Sequence, residues 1–168
     1  MRAWNLALWR CSGGGAAAEM ALITPLLMTL MFGPLELGNY FYSEHVVEKA
    51  VRDGARYASR RSFDDISCLA PIQDVIDKTR YVTRTGVATS GGPQRLAGWT
   101  SDTTVTVTSF CDTTGTYVNN GIYAGLTGGV RVVRVTASVP YTTIVGQLGL
   151  VRTDLTLNAQ SEAAVMGI

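Results

Sequence analysis

Residues 13–42 read GGGAAAEMALITPLLMTLMFGPLELGNYFY, and this stretch sets the architecture of the chain. Residues 15–35 carry a single charge, Glu19, and no Lys or Arg occurs between Cys11 and Glu48. As a helix, residues 15–35 span about 32 Å, the hydrocarbon thickness of a bilayer. The glycines come before the apolar run. A secretory signal peptide would place a small-residue cleavage site after it, where the chain instead reads Glu36-Leu37-Gly38-Asn39-Tyr40-Phe41-Tyr42. A lipoprotein signal would need small residues ahead of its cysteine, but Arg10 precedes Cys11 and the apolar run lies on the wrong side of it. The order predicts a retained membrane helix over 15–38 with a short leader over 1–14, and an extramembrane region over 39–168.

The rest of the chain predicts an α+β domain. Hydrophobic residues make up 46% of the 168 and charged residues only 16%, where about 25% is usual for a soluble domain. Past the span, Val47, Ala50, Val51, Gly54 and Ala58 recur at three- and four-residue steps, so the helix continues as a stem over 39–61. Its other face carries Glu48, Arg52, Asp53, Arg56 and Arg60, which read as a solvated face and not as a nucleic-acid surface. Pro71 suits the first turn of a second helix, with a buried stripe of Ile72, Val75, Ile76, Thr79 and Val82 or Thr83 running to about Thr85. Residues 86–98 read as a flexible surface loop. Residues 103–111, 130–141 and 153–165 alternate with period two, the inward sets being Val105, Val107 and Cys111, then Val133 through Tyr141, then Leu155 through Val165. The pattern predicts three to four antiparallel strands with one face covered by the helices. The connection 142–151 is unusually apolar and predicts packing under the sheet or contact with a neighbouring subunit.

Chemistry is sparsely represented. The net charge of +1 gives no general attraction to nucleic acid. The chain has one histidine, His45, and three cysteines, Cys11, Cys68 and Cys111, in no zinc or redox spacing. No cofactor or metal site is predicted and no catalytic set can be assembled. The Gly-rich segment 119–129 lacks the Gly-Lys-Ser/Thr ending of a phosphate loop.

A carboxylate at the head of an apolar membrane helix, such as Glu19, costs on the order of 2.5–3.5 kcal/mol if centrally placed, so it needs a partner or a task. Gly13-Gly14-Gly15 followed by Ala16-Ala17-Ala18-Glu19, Pro25 inside the span, and the exit Phe32-Gly33-Pro34-Leu35-Glu36-Leu37-Gly38 resemble the TadE-like minor pilins of the tight-adherence (Tad) pilus. The resemblance covers about residues 13–60. It implies a leader ending in glycine, cut by a prepilin peptidase between Gly14 and Gly15, which makes Glu19 the fifth residue of the mature chain. It also implies assembly roles for Glu19 and Glu36. The α-amine freed at Gly15 would pair with Glu19 of a neighbouring subunit, offsetting two charges that are each costly in hydrocarbon. Implied partners are the prepilin peptidase, other pilin and minor pilin subunits, an inner-membrane pilus assembly platform and membrane lipid. The fold implied is pilin-like, with the N-terminus cytoplasmic and the distal domain periplasmic. The local charge balance alone is equivocal, since Lys49, Arg52, Arg56, Arg60 and Arg61 follow the span. Met20 departs from the aromatic residue often found there. Alternatives are a type II secretion or type IV minor pseudopilin, or a signal-anchored periplasmic enzyme or binding protein.

With the leader removed, Cys68 and Cys111 are left as an even pair. Outside the cytoplasm such a pair reads as a disulfide, the alternative being two buried free thiols. The bond would close a loop of about 43 residues and stabilise by roughly 4 kcal/mol in the chain-entropy account.

Overall fold

A computed structural model describes residues 14–115, 117–118, 123–124, 128–147 and 154–167. Most of the expected leader, most of the Gly-rich linker and the end of the apolar connection lie outside these residues. The chain divides into two compact units, Met1–Asn39 and Tyr40–Ile168. The elements in order are α1 (Gly14–Ser59), α2 (Gln73–Thr85), a 3-10 turn (Asp102–Thr104), β1 (Val105–Asp112), β2 (Val130–Pro140), α3 (Ile144–Gln147) and β3 (Thr156–Ala164). The fold is α+β with a three-stranded antiparallel sheet, as the sequence pattern predicts.

In the first unit, α1 continues through Pro25 and Pro34. Each proline removes one N–H donor from the helix ladder. Thr24 and Thr29 donate their hydroxyls to the carbonyls of Met20 (2.6 Å) and Pro25 (2.9 Å), so neither side chain leaves a polar group unpaired in an apolar stretch.

The second unit is built on β2. It is central in the order β1-β2-β3, with Val107 opposite Val135 on one side and Leu157 opposite Val139 on the other. A central strand cannot spare ladder donors, and the single proline of β2, Pro140, falls on its last residue. Residues 40–59 of α1 run antiparallel to β2. Tyr40 meets Tyr141 edge-to-face at 5.3 Å, just past the end of β2. At the other end, Met166 donates its N–H to the Ser59 carbonyl (2.8 Å) and Val165 donates to Arg131 (2.8 Å). The lengths agree: 20 helical residues rise about 30 Å, and the 11 residues of β2 span about 35 Å.

The core forms where the predicted stripe of α1 meets the sheet. Val47, Ala50, Val51, Ala55 and Ala58 are at most 1% exposed and join Val75, Val105, Val133, Val135, Val139 and Leu157 in one cluster. Gly54 lies at the closest approach. A Cβ placed there would stand 2.1 Å from Thr83 Oγ1 of α2 and 3.6 Å from Val135 Cγ1. The site is already filled by Thr83, whose hydroxyl is itself committed to the Thr79 carbonyl (2.8 Å).

Several expectations are corrected. Pro71 does not open α2. It sits in a bridge with Ile66, and the Ile72 N–H donates to Asp65 (2.9 Å), which holds the chain extended until Gln73. Ile72 is accordingly 46% exposed and leaves the buried stripe. Helix α2 ends as expected, with Gly86 in the left-handed region (φ 86°) and its N–H returned to Val82. Segment 86–98 is tied down. Arg95 donates to Asp53 (2.8 Å) and its N–H reaches the Arg84 carbonyl (3.0 Å), which also takes Asp53 off the solvated face. Trp99, directly after that segment, is fully buried, and its indole N–H is taken up by Thr104 (2.7 Å). Thr103 and Thr104 belong to the 3-10 turn and not to a strand. Leu155 is 50% exposed because β3 begins one residue later.

The one-face alternation also fails at the start of β2, where Val132 and Val133 are both fully buried. Val132 pairs with Phe110 and Ala164 across the outer face. In the turn after β1, burial, and then the charge of Glu162, push the Tyr117 phenol above its ordinary range.

Gly54→Ala should lower stability: overpacking costs about 1–3 kcal/mol, which outweighs the gain in helix propensity of up to about 1 kcal/mol. Adding Thr83→Ala should recover much of the loss, and chemical unfolding of the four members of the double-mutant cycle measures it.

Candidate functional site

Every residue from 14 to 31 is exposed, Leu22 by 80%. The apolar window of α1 has a mean hydropathy of 1.6, and none of it is buried within the protein. This is far beyond the few hundred Å² of contiguous apolar surface that a soluble monomer shows. The helix is long and apolar enough to cross a membrane.

The polar residues singled out by the sequence are spread along this one helix. Gly14 is the first residue of α1 and Gly15 the second. A Cβ on either would have no neighbour within 4 Å, so these glycines serve no packing contact among the described residues. Glu19 is exposed, one turn beyond Gly15, and Glu36 is half-buried. The two carboxylates are 17 residues apart, about 25 Å of helix. The structure therefore does not bring them together, and each stands at its own level of α1.

At the far end of the second unit, Cys68 and Cys111 are joined, with Cα atoms 4.9 Å apart. The bond ties segment 63–70 to β1. Ser109 donates its hydroxyl to the Ser67 carbonyl (2.7 Å). Arg131 donates Nη1 to the carbonyls of Phe63 and Ile66, and its guanidinium lies 5.2 Å from the centre of the Phe63 ring. Farther along β1, Arg80 donates to the Val105 carbonyl (3.0 Å). Arg131 went unnoticed in the sequence because, in a strand, one arginine among valines gives no sign that its guanidinium bonds two loop carbonyls.

The next residue, Asp112, closes the turn that follows. Its carboxylate accepts the N–H groups of Gly115 (2.6 Å) and Tyr117 (2.9 Å). These donors, Tyr117 foremost, hold its pKa below the ordinary value of 3.8. A shallow cavity of about 250 Å³ lies nearby, lined by Phe63, Tyr123, Gly129, Val130, Arg131 and Val165. Its arginine is already bonded to carbonyls, so the lining offers no free acid–base pair. Among the described residues, no three His, Cys, Asp or Glu side chains gather closely enough to hold a metal ion, and His45 is exposed on α1.

Fold and site thus define a protein with an apolar, membrane-competent helix and an α+β head closed by a disulfide. Residues 14–56 match the model of the TadE-like protein family, and this segment is similar to that family. The match ends three residues before the last residue of α1. No curated protein and no solved structure matches the chain.

Replacing both cysteines (Cys68→Ser with Cys111→Ser) should cost about 4 kcal/mol in unfolding free energy, read from urea titrations of the oxidised parent and the double variant. Asp112 gives a pH-dependent counterpart. Its pKa is lowered on folding, so its contribution is present above pH 3.8 and is lost as pH falls through the folded value. Asp112→Asn should be less stable than the parent at neutral pH, and the gap should close on acidification below that range.

Proposed function

We propose that this chain is a minor pilin or pseudopilin of a Tad-type adhesive pilus, cut by a prepilin peptidase between Gly14 and Gly15. In this reading the mature chain is a single-pass inner-membrane subunit with its head in the periplasm, able to enter the pilus. The observation that supports the reading is the TadE-like match, which begins at Gly14, with Glu19 fifth counting from Gly15.

The physical sense of that spacing is charge neutralisation. An α-amine and a carboxylate, each costly in hydrocarbon, offset one another when the amine of one subunit meets Glu19 of the next. Glu19 therefore acts in registration and not in catalysis. Glu36, at the level where α1 leaves the apolar segment, is the second assembly residue. The partners are the peptidase, the other pilin subunits and the membrane platform that assembles them. The uncovered apolar half of α1 supports the reading, because it needs lipid or other helices around it. The disulfide supports an oxidising compartment for the head.

Intact-mass analysis of protein recovered from membranes should show loss of residues 1–14; a mature chain still starting at Met1 would exclude the reading. Gly14→Leu should block processing. Glu19→Ala should leave processing largely intact while abolishing incorporation into sheared pili, assayed by immunoblot.

A further inference from the structure

We infer that the outer edge of β3 pairs with β3 of a second copy of this chain, antiparallel about Gln160, joining two heads through one continuous sheet. The inference concerns the second unit alone and does not rest on the pilin reading. β3 is the last strand in the order β1-β2-β3, so one of its edges faces no described strand. Which groups lie on that edge follows from the ladder to β2. The Tyr141 N–H donates to the Leu155 carbonyl and the Val165 N–H to the Arg131 carbonyl, both at 2.8 Å. These two pairs continue the register of β2 with β3 at its two ends. Both turn an odd-numbered residue, 155 or 165, toward β2. In an antiparallel ladder, alternate residues direct both backbone groups to the same side. Thr156, Asn158, Gln160, Glu162 and Ala164 therefore direct their N–H and C=O groups outward. Among the described residues, no backbone bond reaches those groups.

The edge lacks the features that keep strands of separate chains apart. Exposed edges are usually blunted by shortness, lysine, proline or a bulge. β3 is nine residues long and reads TLNAQSEAA. Its pairing with β2 runs unbroken from Thr156 to Ala164. Its one charge, Glu162, is already bound to Arg134 (2.7 Å), whose guanidinium lies 5.1 Å from the centre of the Phe110 ring.

Self-complementarity selects a second copy as the occupant. With Gln160 opposite Gln160, Asn158 stands opposite Glu162 and Thr156 opposite Ala164 on the outer face. On the core face, Ala159 stands opposite Ser161 and Leu157 opposite Ala163. A side-chain amide both donates and accepts, so the two Gln160 amides satisfy each other and the Asn158 amide donates to Glu162. Asn158 and Gln160 are both exposed and available for this. Every outward N–H of one copy meets an outward carbonyl of the other. No like charges are opposed, whereas pairing about Glu162 would set carboxylate against carboxylate, which destabilises a strand pair. The self-pairing register is thereby fixed at Gln160.

The test uses the full chain carrying Cys11→Ser, co-expressed in membranes with two different epitope tags. Gln160→Cys brings position 160 of the two copies to a Cα separation of about 5.5 Å, within disulfide range. Asn158→Cys leaves the two copies of position 158 about 14 Å apart, outside that range. Mild oxidation should give a covalent dimer with Gln160→Cys and none with Asn158→Cys. In detergent extracts without added cysteines, Gln160→Lys should abolish co-capture of the two tags, because it opposes two ammonium groups. Combining a Gln160→Lys copy with a Gln160→Glu copy should restore it. No dimer at 160, or equal dimer at 160 and 158, would overturn the inference. Co-capture that is unchanged by Gln160→Lys would overturn it too. Crosslinking at 160 to a different protein would overturn the assignment of the edge to a second copy.

Discussion

The head depends on one close approach, that of the α1 stem to α2 and the sheet at Gly54. A Cβ at this position would overlap the Thr83 hydroxyl and touch Val135. The flanking Ala50, Ala55 and Ala58 are at most 1% exposed, so the small-residue stripe lets the helix sink until valines of β2 cover it. Small side chains contribute little apolar area each, about 25 cal/mol per Å². Close packing over the whole length of the stem makes up for this. The length of β2 and the run of α1 from Tyr40 to Ser59 are therefore coupled, since Tyr141 and Met166 close the two ends.

The sequence carried the elements that have a period. The α1 stripe, the alternation of β1 and β2 and the end of α2 at Thr85 were all legible, because burial on one face leaves a pattern of 3.6 or 2 residues. Long-range polar ties were not. Asp53 and Arg95 are 42 residues apart, and nothing local marks either as paired. Trp99 follows a Gly-rich segment that reads as surface, yet its ring is in the core because Thr104 can satisfy the indole N–H. Pro71 has the right chemistry for a helix start, but the Ile72 N–H is drawn to Asp65 and moves the start downstream. The double burial of Val132 and Val133 breaks the alternation that period two alone predicts for the strand.

The residues of the candidate site were legible in another way. Glu19 stands out because a carboxylate in an apolar run is costly, and the glycines stand out because they precede that run. The structure places Gly14, Gly15 and Glu19 on α1 and leaves Glu19 exposed, with no described side chain making it part of a pocket. Cys68 and Cys111 were candidates by count alone. Their bond ties segment 63–70 to β1, and Ser109 and Arg131 hold the same segment, a combination that only the fold displays.

The two halves of α1 differ in what covers them. The stem is covered by the sheet, and the apolar half by nothing among the described residues. Hydrogen–deuterium exchange of the full chain in lipid vesicles tests that difference most directly. Amides of residues 22–31 should exchange slowly in the bilayer and rapidly once lipid is replaced by a denaturing solvent, while those of 47–58 should follow the unfolding of the head. Rapid exchange of 22–31 in intact vesicles would contradict a membrane-spanning α1.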